Sequence, residues 1–245
     1  MTHTPLVMLP ALGADSRLWQ PVIDELGAEF RPTVIRGEGK TIEAMADHVL
    51  SKAPKEFILV GISMGGYLAL EIALRNTGRV KALALFNTSA IAAPEDRRQN
   101  SVDLISLVES GGFQTAIDRT TPVVSRGIPE IQRLAAAMTK DLGPRVFVDQ
   151  QRAVLGRSDR RAELNTITCP TLVVGSTEDT ITPPELSQDL ANRLPGGRLV
   201  LIAGSGHFTP LEKPAEAAAA LADFMRALTE DAVQNDQRLR LHEFW

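Results

Sequence analysis

The sequence predicts an α/β protein: a mostly parallel sheet of about six strands, helices on both of its faces, and an all-helical insertion. Three observations carry this. Short apolar runs rich in β-branched residues alternate with segments whose apolar residues recur at helical spacing. The alternation stops between about 91 and 164, where no strand-like run occurs. Finally, Gly61-Ile62-Ser63-Met64-Gly65 sets a serine between two glycines where an apolar run gives way to a helical pattern. A serine on a sharp strand-to-helix turn presents its hydroxyl at the edge of a sheet, and the positions beside it must be small for the turn to close.

Six runs qualify as strands: 6–9, 33–35, 57–61, 80–86, 171–175 and 198–202. The first leads into a loop that reaches Trp19. The second is the shortest, and Arg36-Gly37-Glu38-Gly39-Lys40 then turns the chain into a helix over 41–50. Phe57-Ile58-Leu59-Val60 ends at Gly61, and the helix over 65–74 runs out at Asn76-Thr77-Gly78. After 80–86 come four helical stretches, 94–109, 113–119, 129–141 and 144–155, broken by Gly111-Gly112 and Gly143-Pro144. The strand at 171–175 leads into a helix over 184–194, and the strand at 198–202 leads across Ala203-Gly204-Ser205-Gly206 to His207. Beyond Leu228 the tail is polar until Leu241, Phe244 and Trp245, which can dock on the body or on a second copy, so a homodimer is compatible with the sequence.

A serine hydroxyl is a poor nucleophile at neutral pH, so Ser63 needs a base, and the base needs a partner to orient it. Of the four histidines, His3 lies near the N-terminus, His242 in the polar tail, and His48 is expected on the solvent face of its helix. Only His207 follows a buried-looking strand across a loop able to carry an imidazole over a strand end. The acid is expected at the end of a neighbouring strand, where Glu178 and Asp179 compete. Asp179 is preferred because Asp-x-x-Thr-Pro leads directly into the next helix, while Glu178 reads as a solvated neighbour.

Ser63, Asp179 and His207 run in the order nucleophile, acid, histidine, and Gly206-His207-Phe208-Thr209-Pro210 stands before a helix start. In these features the chain resembles the α/β-hydrolase superfamily over 5–228. The resemblance implies a Ser-His-Asp triad and an oxyanion hole made of the backbone N–H groups of Met64, the residue after the nucleophile, and Leu12, in the loop after the first strand. Pro10-Ala11 replace the family's His-Gly pair there, which keeps the donor, since any non-proline residue supplies one. Residues 34–41 resemble a further family stretch but lack its leading Asp and have Glu38 where His is common, and they are read as structural. The resemblance also implies a hydrolase core from 1–91 and 165–228 without the first two strands of the family's sheet, a helical cap at 92–164, and a C-terminal tail at 229–245. The implied reaction is hydrolysis of a small carboxylic ester or lactone through an acyl-Ser63 intermediate, as in the cofactor-free esterase, lactonase and haloperoxidase-like members. Acyl transfer or perhydrolysis, and carbon-carbon bond hydrolysis or lysis, use the same machinery. A small-ligand receptor without turnover is the non-catalytic alternative.

Composition narrows the partners. A chain of 245 residues fits one α/β domain that buries about 70 to 75% of its unfolded surface. A net charge of -4 gives no reason to expect nucleic acid or an anionic membrane surface as partner, and the resemblance implies a small-molecule acyl substrate. No apolar run approaches the roughly 20 residues that span a bilayer, and the first residues lack a signal-peptide pattern. Cys169 is the only cysteine, which fits a cytoplasmic protein, and its thiol just before Pro170 reads as buried and inert. There is no His-Glu-x-x-His, no cysteine pair and no Gly-x-Gly-x-x-Gly after a strand, so neither a metal nor a cofactor is expected. The insertion's ten arginines are nearly matched by its acids and are expected to form a solvated mixed-charge surface.

Overall fold

The computed structural model describes residues 4–28, 30–75 and 78–242, with side chains as far as Glu230. Its sheet contains β1 (Leu6–Leu9), β2 (Pro32–Val34), β3 (Phe57–Ile62), β4 (Val80–Phe86), β5 (Thr171–Ser176) and β6 (Gly197–Ile202). The spatial order is β2-β1-β3-β4-β5-β6, and every pairing is parallel. The six runs expected from the sequence are these strands, displaced by no more than one residue at an end. The edge strand β2 opens on Pro32, whose missing N–H is tolerated at a strand's first residue.

Side chains alternate between the two faces, and both faces are covered, which is why the strands read as continuous apolar runs. Leu6, Met8, Ile58, Val60, Ala84, Phe86 and Val174 share one core with residues of α1 (Gln20–Glu25) and α9 (Pro214–His242). Val7, Leu9, Leu59, Leu83, Leu85 and Val173 share the other with α2 (Ile42–Lys52), α3 (Met64–Leu74) and α7 (Pro184–Arg193). Thr41 caps α2 by accepting from the Ala44 amide. Between β4 and β5 lie α4 (Glu95–Glu109), α5 (Phe113–Val124) and α6 (Pro129–Leu155), with a core of their own around Leu104, Val108, Ala116, Phe147 and Val148. A short α8 (Thr209–Glu212) precedes α9.

The order of the strands locates the site. The chain moves outward from β1 to β2, then crosses back to β3 and continues the other way. At such a reversal the loops leaving neighbouring strands diverge and open a crevice at the carboxyl ends. Here the loops after β1 and β3 flank it.

Four details differ from expectation. α5 runs five residues past 119, through Pro122, because burial of Ile117 and Thr121 outweighs the poor helix propensity of Thr120-Thr121-Pro122. α6 joins the two expected stretches end to end, with non-helical Gly143 (φ 82°, ψ 166°) at the kink before Pro144. His48 is half-buried rather than solvated, its Nε2 3.7 Å from Glu38 Oε2. The expected tail continues α9 to His242, while the side chain of Leu241, together with Phe244, Trp245, His3 and the stop at Asn76-Thr77, lies outside what is described. Among the described residues no helix is long and apolar enough to cross a membrane.

Candidate active site

Ser63 alone makes the turn between β3 and α3, at φ 53° and ψ −117°. A positive φ on a residue with a side chain costs on the order of 1–3 kcal/mol and persists only where the surroundings enforce it. The neighbouring glycines show how. A Cβ on Gly61 would lie 2.2 Å from the Gly65 carbonyl oxygen, and one on Gly65 would lie 2.4 Å from that of Leu9. Thus α3 starts in backbone contact with β1 and β3, and the serine projects from the sheet edge.

Three residues far apart in sequence meet there. His207 Nε2 lies 2.8 Å from Ser63 Oγ, and His207 Nδ1 lies 2.9 Å from Asp179 Oδ2. With Asp179 accepting from Nδ1–H, Nε2 is the nitrogen free to accept the serine proton. Asp179 and His207 are each 3% exposed. Glu178, by contrast, points outward and pairs with Arg126. The loop after β5 thus delivers Asp179, not Glu178, to the imidazole.

The carboxylate is held on every side. Oδ1 accepts from the amides of Ile181 and Thr182 at 2.8 and 3.0 Å. Oδ2 accepts from Thr182 Oγ1 at 2.6 Å and from Asn87 Nδ2 at 2.9 Å, besides His207. Burial works to raise the Asp179 pKa, but the charge and hydrogen bond of His207 and the Thr182 donors prevail and lower it to about 2. Asp179 is therefore anionic at neutral pH and able to stabilise an imidazolium. Asn87 is fully buried at φ 42°; it also donates to Ser176 Oγ and the Gly206 carbonyl and accepts from Thr209 Oγ1. Sequence reasoning missed Asn87. The available signal was a polar residue directly after the apolar β4, at the carboxyl edge of the sheet.

Leu12 and Met64 both line the cavity beside Ser63. The Met64 amide is the first of α3, one of the N–H groups a helix leaves unsatisfied. The Leu12 amide has no hydrogen-bond partner among the described residues. Two residues of α6 hold that loop: the Gly13 amide donates to Gln150 Oε1 and its carbonyl accepts from Thr139 Oγ1, each at 2.9 Å. Trp19 is core and support together, edge-on to Phe86 and donating from Nε1 to the Leu9 carbonyl at 3.1 Å.

Residues 6–221 match the model of the alpha/beta hydrolase family. The chain belongs to that family. It is 30% identical to "Putative carbamate hydrolase RutD" of Rhizobium rhizogenes over 92% of this chain and 94% of the relative. It is 26% identical to a pimeloyl-[acyl-carrier protein] methyl ester esterase of Vibrio vulnificus, covering 85% of this chain and 89% of the relative. The structure superposes on a malate-bound thermophilic esterase from Thermogutta terrifontis with a TM-score of 0.81 and 26% identity, over 92% and 90% of the two chains.

In this alpha/beta hydrolase Ser63 opens on a cavity of about 430 Å³ walled by the loop after β1, the β5 loop and helices α4, α5 and α6. The solvated-surface reading of the insertion's arginines fails for Arg97 and Arg157, which are partly buried and line the cavity; Arg119 lines it too but is exposed. Arg97 stands on α4, Arg119 on α5 and Arg157 just past the end of α6, so their approach depends on how the insertion folds over the site, which no local pattern encodes. Arg126 bridges Glu178 and Glu212, and Glu212 also accepts from the Gly206 amide, so one arginine ties the insertion to the loops of Asp179 and His207. Cys169 is half-buried, and burial raises its thiol pKa.

Proposed function

We propose that this hydrolase cleaves a small carboxylic ester, lactones included, by nucleophilic catalysis from Ser63. His207 Nε2 takes the Ser63 proton as Oγ attacks the acyl carbon. The amides of Leu12 and Met64 receive the oxyanion, each such donor being worth about 3 to 4 kcal/mol. Collapse expels the alkoxide, which leaves with the proton from His207. Water, deprotonated by His207, then attacks acyl-Ser63, and the acid departs as the proton returns to Oγ. Asp179 keeps the imidazole in the required tautomer throughout. Helices α4 to α6 act as the cap that encloses the acyl group and limits water.

The observation that carries this reading is the unbroken hydrogen-bonded line from Ser63 through His207 to Asp179, opening on the cavity. The esterase names of the Vibrio vulnificus and Thermogutta terrifontis relatives support it. The test is a chromogenic ester panel of increasing acyl length, run before and after treatment with a serine-directed phosphonate. Hydrolysis of short esters that the phosphonate abolishes is expected. A protein that cleaves no ester or lactone of the panel, and keeps Ser63 unlabelled, would refute the proposal. A carbamate belongs in the panel, given the name of the 30% identical relative. Peroxide and alcohols as competing acceptors, and a β-diketone, separate the perhydrolase, acyltransferase and carbon-carbon hydrolase alternatives.

A further inference from the structure

The arginines of the insertion divide into two groups. Arg98, Arg126, Arg145, Arg152, Arg160 and Arg161 each stand within ion-pair distance of a carboxylate. Arg97, Arg119 and Arg157, which line the cavity, meet none among the described residues; outside the cavity only the exposed Arg133 shares that condition. The single carboxylate on the lining is that of Asp96, a residue exposed to solvent.

Arg157 is the most enclosed of the three. Its guanidinium lies 4.2 Å from the ring centroid of Tyr67, one helical turn from Ser63. Nε donates to the Ile91 carbonyl and Nη1 to that of Val154, at 3.1 and 3.2 Å. A guanidinium has five N–H donors, so three remain. Arg97 donates to the carbonyls of Thr180 and Ile181, in the loop that carries Asp179. Burial lowers the Arg157 pKa, Tyr67 opposes this, and the charge of Arg97 lowers it further. Two mutually repelling cations thus stand on the wall of the cavity that contains Ser63, with no carboxylate within ion-pair distance of either among the described residues. Arginine is the side chain suited to gripping a planar carboxylate through two parallel hydrogen bonds.

We propose that the substrate carries a carboxylate besides the bond to be cleaved, and that Arg157 and Arg97 form the subsite that holds it. The proposal rests on the serine-hydrolase reading for what is cleaved, and on the arginines alone for what is held. Arg119, exposed beside the cavity, adds to the field that draws an anion inward.

Monomethyl and dimethyl glutarate form a matched pair, one anionic and one neutral. The wild-type protein is expected to favour the monomethyl ester about 10- to 100-fold in kcat/KM. Arg157→Met and Arg97→Gln are each expected to shrink that ratio about tenfold, chiefly through KM. Arg97 sits near the solvent-facing start of α4, so its variant serves if Arg157→Met proves unstable. Equal kcat/KM for the two esters, or variants that reduce both in the same proportion, overturns the proposal. Calorimetry of glutarate against Ser63→Ala, with and without Arg157→Met, decides it without turnover. Glutarate binding that is lost in the arginine variant, and is not reproduced by inorganic phosphate, upholds a carboxylate subsite even if neither ester is cleaved. That result would strike only the hydrolase reading. No binding of glutarate, or binding indifferent to Arg157, overturns the subsite.

Discussion

Asp179, buried, and Arg157, partly buried, are charges in one site, and the protein treats them in opposite ways. Both oxygens of Asp179 are saturated, by two amides, two side chains and the imidazole. Arg157 meets two carbonyls and an aromatic face, with donors to spare and no carboxylate among the described residues. Leaving even a partly buried charge unpaired has a cost, so the contrast points to two different jobs. A group that must keep its place and its charge through a reaction is surrounded by the protein's own donors. A group that is to meet a ligand is left incomplete. The first kind stands on loops at the carboxyl edge of the sheet, the second on the helical insertion.

The comparison can be broken at either end. The largest effect is expected from Ser63→Ala, which should reduce kcat for esters by about 10⁴-fold or more while leaving thermal stability near that of the wild type. Retention of more than a hundredth of the activity would move the nucleophile elsewhere. Next comes Asn87→Ala, which strips a donor from Asp179 and one partner each from Thr209, Ser176 and the Gly206 carbonyl, leaving the hydrogen bonds these make to one another. A loss of about 2–3 kcal/mol in urea denaturation is expected, together with lower kcat. Unchanged stability would show that the remaining donors hold Asp179 without Asn87.

Acid should expose the same feature by titration. The folded Asp179 pKa, about 2, lies below its ordinary value near 3.8, so its contribution to stability is complete above pH of about 4 and fades as the pH falls toward 2. The stability difference between wild type and Asp179→Asn should therefore narrow across that window in urea titrations, and a constant difference would contradict the account. The smallest effect is expected where the insertion supports the chemistry. Thr139→Val frees the Gly13 carbonyl, and a three- to tenfold fall in kcat, on the order of 1 kcal/mol, should appear with little change in KM. A change confined to KM would mean that α6 shapes the pocket and not the loop of Leu12.

The same contrast explains what the sequence revealed. The six strands were legible because each is buried on two faces and written as an uninterrupted apolar run. Ser63, Asp179 and His207 were legible because each follows such a run within a few residues, so finding the strand ends finds the candidates. Asn87 also follows a strand but belongs to no short pattern, and its role appears only once Asp179, Ser176 and Gly206 converge on it. The arginines were visible as residues and unreadable as a site. Arg97 and Arg157 are sixty positions apart, and their nearness depends on how α4 packs beside the segment that leaves α6. Their neighbours Arg98 and Arg160, a few residues away, pair with carboxylates instead.

Peptide mapping after reaction with a p-nitrophenyl phosphonate, in wild type and in His207→Ala, asks whether Ser63 is the nucleophile and His207 its base. One adduct per chain is expected, on Ser63, formed at least about 10³-fold more slowly without the imidazole. An adduct on any other residue, or full-rate labelling of Ser63 in the absence of His207, would contradict that assignment.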